Sequence, residues 1–275
     1  MGKTRRRNKI RSMIAGGLFY PEEKTQAEAE LVSFGMKSPG EGDARAVLVP
    51  HCAWSVSGKT TAGAFLQCPG ENNLKRIVLL GSLHHSGEQG LFITESDFFE
   101  TPLGNMPVCR DLCRALASCS ARFEINDIPH LREHAYEVVL PFIKYRYPRA
   151  FLVPVLLGGA SVPLVSALAR ALRAVFTPIL KDTLFVIPSC ASVGTDKEAA
   201  EQEAKLFLSL LGGKKARELM KAREQGKISA CGTPLTAALL GSGLFEKHTT
   251  LTGPALHYTR ESSGEFIYYT ALALD

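Results

Sequence analysis

Short apolar runs rich in β-branched residues recur along the chain, each closed by turn residues and followed by a stretch with helical spacing. Residues 45–50, 76–81, 150–157 and 183–187 are the clearest of these runs. Residues 91–94 form a weaker one, expected as an antiparallel hairpin element, and 266–274 read as a last strand. Helical patterns fall at 58–66, 108–117, 134–142, 162–175, 197–211, 216–224 and 233–240. Uninterrupted apolar strands must be covered on both faces, and their alternation with amphipathic helices points to a mostly parallel sheet. The expected fold class is therefore α/β. No Pro/Ser/Gly linker divides the chain, so a single domain over 12–275 is expected, preceded by a basic tail, 1–11.

That tail carries the whole charge excess. Six of the 32 Lys and Arg lie in residues 1–11, which contain no acid, leaving 26 basic against 27 acidic side chains in the rest. A neutral body argues against a nucleic-acid partner, and a short solvated terminus is the expected reading of the tail. The Gly-rich stretch after it is a poor export signal, Arg6 breaks the myristoylation pattern, and no apolar run approaches a membrane span. Seven cysteines, an odd number spread without paired spacing, point to reduced thiols and a cytoplasmic setting. Cys109 and Cys113, four apart, are expected on one buried helix face.

In parallel sheets ligands gather where strands end. The residues there are Pro50-His51-Cys52, Gly81-Ser82-Leu83-His84-His85 and Pro188-Ser189-Cys190, with Cys231-Gly232-Thr233-Pro234 ahead of a helix. Two imidazoles (His51, His84) and a thiol at a helix start (Cys231) make a donor set suited to zinc, iron or copper, with one position left open. A rival lies at Ala53 to Thr60, which fits a relaxed phosphate-loop pattern ending Gly58-Lys59-Thr60. With one glycine, and Trp54 and Val56 in the loop, it is a poor phosphate cradle.

Several of these segments stand in the order of a known family. Arg11 to Pro21 is similar to "R-x-x-x-x-A-G-x-F/W-Y-P"; Pro50-His51-Cys52-Ala53-Trp54 through Gly58 to "P-H-A-G-Y-x-Y-S-G"; Ile77 through His85 to "L-G-P-S/N-H-H" after an apolar strand. Glu133-His134-Ala135-Tyr136-Glu137 through Phe142 resembles "E-H-S-x-E-x-x-L-P-F", Val153 to Gly158 matches the following strand, and Cys231 to Pro234 resembles a shortened "C-G-x-x-P". The chain resembles the Memo family, also described as protein B of the AmmeMemoRadiSam system, over nearly its whole length. The resemblance implies a fold similar to class III extradiol dioxygenases, enzymes with non-haem iron. It implies metal ligands at His51, His84 and Cys231, with His134 and Glu137 in the pocket.

The chain also departs from the pattern. The family usually has "S-S-D-x-S-H" after the fifth strand; here Cys190 stands for the Asp and Val193 for the His. A lost acid and base would cost oxygen chemistry roughly 10²–10⁴-fold. Two readings follow: a diverged redox or dioxygenase-like metalloenzyme, in which Cys190 joins His134 and Glu137 as a reactive or ligating group, or a non-catalytic binding module. The partner is expected to be a small molecule or a protein, and not a membrane.

Overall fold

The computed structural model describes residues 8–38, 40, 42–85, 87–245 and 256–274. The apolar runs meet in one seven-stranded sheet. Its order is Leu272–Leu274, Ala46–Val49, Thr183–Pro188, Arg76–Ser82, Phe151–Gly158, Gly90–Ile93 and Phe123–Ile125. The four central strands are parallel, with Val49 opposite Pro188, Leu79 opposite Val186 and Gly81 opposite Leu156. Ala46–Val49 and Thr183–Pro188 are buried along their length, which is why they read as unbroken apolar runs. Gly90–Ile93 runs antiparallel to Phe151–Gly158, as expected, but it forms no hairpin: that partner is distant in sequence, and its other neighbour, Phe123–Ile125, is parallel.

Helices cover both faces, as crossovers between parallel strands require. Val162–Phe176 buries Leu164, Leu168 and Leu172 and packs against the helix Thr233–Gly241. With the 3₁₀ turns that follow it, Val162–Asp182 is long and apolar enough to cross a membrane by length and composition, which the reading of the sequence did not anticipate. Non-helical Ile179 breaks it, and its buried stripe faces the protein core.

Two expectations need correction. The tail does not end at residue 11. Residues 1–7 lie outside the described residues, but Lys9 pairs with Asp127 at 2.5 Å and Arg11 is fully buried in the strand Ile10–Arg11, beside Phe98–Phe99. The final apolar run is two strands. Phe266–Tyr269 joins His257–Arg260 and Ser192–Gly194 in a small antiparallel sheet, whereas Leu272–Leu274 closes the edge of the main one. Gly58, Lys59 and Thr60 lie inside the helix Trp54–Leu66, which agrees with the sequence-based rejection of a phosphate loop there.

Candidate functional site

The carboxyl ends of the central strands open into a cavity of about 720 Å³, well within the size range of ligand pockets. His51, His84, His134, Cys190 and Cys231 line it, and Val193, Arg260, Glu261 and Ile267 wall it from the small sheet. The main-sheet ladder brings the first and third of these loops together: Ser189 N donates to Val49 O at 2.8 Å, setting Ser189-Cys190 beside Pro50-His51.

Cys231 arrives from far along the chain and is clamped by two serines. Ser82 Oγ donates to Cys231 O at 2.7 Å, and Gly232 N donates to Ser189 Oγ at 2.9 Å. A side chain at Gly232 would place its Cβ 2.6 Å from Ser189 Cβ, so only glycine admits this approach. Neither serine stood out in the sequence, where each reads as an ordinary turn residue.

The approach sets the donor atoms. His51 Nε2 lies 3.2 Å from Cys231 Sγ, and Cys190 Sγ donates to Cys231 Sγ at 3.6 Å. The His51 and His84 rings are 5.3 Å apart, centroid to centroid. The compact triplet, with all ligand atoms within 4.8 Å of one another, is His51, Cys190 and Cys231. The proton donated by Cys190, helped by the His51 and His84 imidazoles, holds the Cys231 thiol well below its usual range despite burial. Cys190, giving that proton from a buried position, is pushed well above.

His84 is held from behind by Glu133, the residue just before His134 in the motif, whose partner 49 residues back nothing in the sequence announces. Glu133 is fully buried and accepts from the His84 amide at 2.7 Å and the Ala135 amide at 2.8 Å; its Oε1 lies 3.1 Å from His84 Nδ1. Burial opposes charge on His84, but the hydrogen bonds to Cys231 and Glu133 prevail and raise its pKa to about 10. A carboxylate behind an imidazole fixes its tautomer and aims its free nitrogen, the arrangement of metal-ligating histidines.

The remaining candidates separate. His134 reaches the cavity, its Nδ1 3.0 Å from exposed His85 Nε2 and its ring 4.8 Å from Phe19. Glu137 does not share its face. Residues 135–136 form a turn, Glu137–Val139 a 3₁₀ turn, and the helix starts only at Leu140. Glu137 points the other way, to the buried Arg11 guanidinium, the Ile14 and Ala15 amides and, at 2.6 Å, the Tyr20 hydroxyl. It anchors the amino-terminal segment instead of serving the pocket. Cys113 is buried as expected, but Cys109 is half-buried and sits one residue ahead of the helix Arg110–Ser118, at its N-cap position without a side-chain cap bond, so the two do not share a buried helix face.

The family model for Memo-like protein matches residues 11–266. The chain belongs to the Memo family. Relatives described as MEMO1 family protein include one from Thermotoga neapolitana, 26% identical over 257 residues, covering 88% of this chain and 92% of the relative. Another, from Methanobrevibacter smithii, is 26% identical over 254 residues, covering 88% and 90%. Among solved structures, the uncharacterized protein JW3007 from Escherichia coli K12 superposes with a TM-score of 0.51 at 12% identity, covering 84% of this Memo protein and 99% of that chain. That likeness establishes a shared fold. His51, His84 and Cys231 all fall within the Memo-matched span, as do the serines and the glutamate that position them.

Proposed function

We propose that this Memo protein binds a transition-metal ion, iron, copper or zinc, at the floor of the strand-end cavity through His51, His84 and Cys231. The observation that carries the reading is the 3.2 Å approach of His51 Nε2 to Cys231 Sγ in a cavity that His84 also lines. Two ligands at about 2.1 and 2.3 Å from one tetrahedral ion sit about 3.6 Å apart, within a few tenths of an ångström of that spacing. The chemistry of the set fits: imidazole and thiolate are ligands for all three ions, a bound ion would displace the proton that His84 otherwise holds, and Glu133 supplies the outer partner that orients His84. Such an ion would supply Lewis acidity or redox chemistry in the cavity.

The chain's own side chains do the rest. His134, lining the cavity and bonded to His85, is the group placed to hold or move a proton at its imidazole. Burial lowers its pKa and keeps it available as a neutral acceptor. The reading is a diverged redox or dioxygenase-like site with reduced acid–base equipment, acting on a small molecule. A second reading, a binding module without turnover, is favoured by Cys190 and Val193 standing where the family resemblance places an acid and a base.

Elemental analysis of protein purified under anaerobic, reducing conditions tests the reading, with His51→Ala and Cys231→Ser alongside. Stoichiometric metal in the wild type that is lost from both variants supports it. Metal that survives in both overturns it.

A further inference from the structure

The residue that departs from the family pattern faces the proposed ligands. Cys190 follows the strand Thr183–Pro188, is 5% exposed, and directs its Sγ at Cys231 Sγ, 3.6 Å away. Two thiolates on one tetrahedral ion, each about 2.3 Å from it, sit about 3.8 Å apart. The sulfurs are therefore spaced as two ligands of a common ion, far outside the ~2.05 Å of a disulfide. His51 Nε2 completes a triangle whose atoms all lie within 4.8 Å of one another, and the His84 ring, 5.3 Å from that of His51, brings a second imidazole to the same cavity wall.

We infer that Cys190 is a fourth protein ligand, closing a two-sulfur, two-nitrogen site with His51, His84 and Cys231 that selects zinc over iron. This rests on the metal-binding reading above, and a closed zinc site would favour its second form, a binding module without turnover, over redox chemistry. The argument is one of donor chemistry. A carboxylate is a hard ligand suited to ions that keep open positions, whereas a second thiolate softens the site. Tetrahedral coordination by two sulfurs and two nitrogens is characteristic of zinc, and a site with four protein ligands leaves no position for water or substrate. The exchange of acid for thiol thus both removes a proton-transfer group and fills the coordination sphere. The cavity wall of Val193 and Ile267 would then bound a binding pocket above a closed zinc centre.

X-ray absorption at the zinc edge, on reduced full-length protein loaded with one equivalent of zinc, counts the sulfurs directly. Two Zn–S distances near about 2.3 Å in the wild type and one in Cys190→Ser are expected. Zinc affinity in that variant should fall at least roughly ten-fold, and ferrous iron should not displace zinc from the wild type. A single sulfur in the wild type, unchanged by Cys190→Ser, overturns the fourth ligand and leaves the His51, His84 and Cys231 reading standing. Failure of the reduced wild type to take up zinc, iron or copper overturns both. The wild-type sulfur count does not depend on any variant folding.

Discussion

Glu137 offers the sharpest test of how the structure divides roles, because its spacing from His134 invites a catalytic assignment that the packing denies. Glu137→Leu preserves bulk and removes the charge. It would leave the fully buried Arg11 guanidinium without its carboxylate, and the Tyr20 hydroxyl and the Ile14 and Ala15 amides without their acceptor. Breaking one partner of a buried pair costs about 3–5 kcal/mol. Arg11 keeps its bonds to His130 O at 2.9 Å and Glu133 O at 2.8 Å, which spread part of the charge, so about 4 kcal/mol is the expected loss. At about 2–4 °C per kcal/mol for a chain of this size, the melting midpoint falls by about 8–16 °C. The double variant Arg11→Met, Glu137→Leu should recover much of that, since an apolar pair of similar volume carries no stranded charge. Thermal unfolding followed by circular dichroism gives the midpoints, and metal content of the native fraction is read in parallel. A single variant that melts within about 2 °C of wild type but loses its metal would refute the reasoning and return Glu137 to the pocket.

Other expectations follow from the same contacts. Burial depresses the His130 pKa from 6.5 to about 4. The unfolded chain therefore takes up a proton that the folded one refuses, and stability present above pH 6.5 is lost as pH falls toward 4, by about 2 kcal/mol at pH 5. Urea midpoints at pH 7 and pH 5 should show this, and His130→Gln should shrink the difference; an equal slope in that variant counts against it. Glu133→Gln weakens the hold on His84, so metal affinity measured against a chelator should fall about 10–100-fold; unchanged affinity would detach His84 from the site. Gly58→Ala would drive a methyl into the Phe34 ring, which is pinned edge-on to Trp54 and stacked on Phe142. A loss of about 1–3 kcal/mol is expected despite the better helix propensity, and a raised melting point would show that Phe34 gives way.

The sheet was legible because its central strands are buried on both faces and so carry unbroken apolar runs ended by turn residues. His51, His84 and Cys190 were legible for the same reason: each follows such a run. Helical periodicity misled at 134–142, because it assumes one continuous helix, whereas the chain passes through two kinds of turn before Leu140 and sends His134 and Glu137 apart. Glu133, Ser82 and Ser189 carry no local signal, since their importance lies in partners 49, 149 and 43 positions away. The break in the last apolar run has no local signal because both halves are apolar and only pairing distinguishes the sheet each one joins. Arg11 looked like one more basic residue of a solvated tail; nothing in its neighbours announces a carboxylate 126 positions on.

The most direct measurement is a crystal structure of metal-loaded, reduced protein with diffraction data collected at the absorption edge of the bound ion. The account predicts one anomalous peak at the cavity floor, within about 2.0–2.4 Å of a nitrogen of His51, a nitrogen of His84 and the sulfur of Cys231. A peak elsewhere, or none at those three residues with metal in excess, would contradict it.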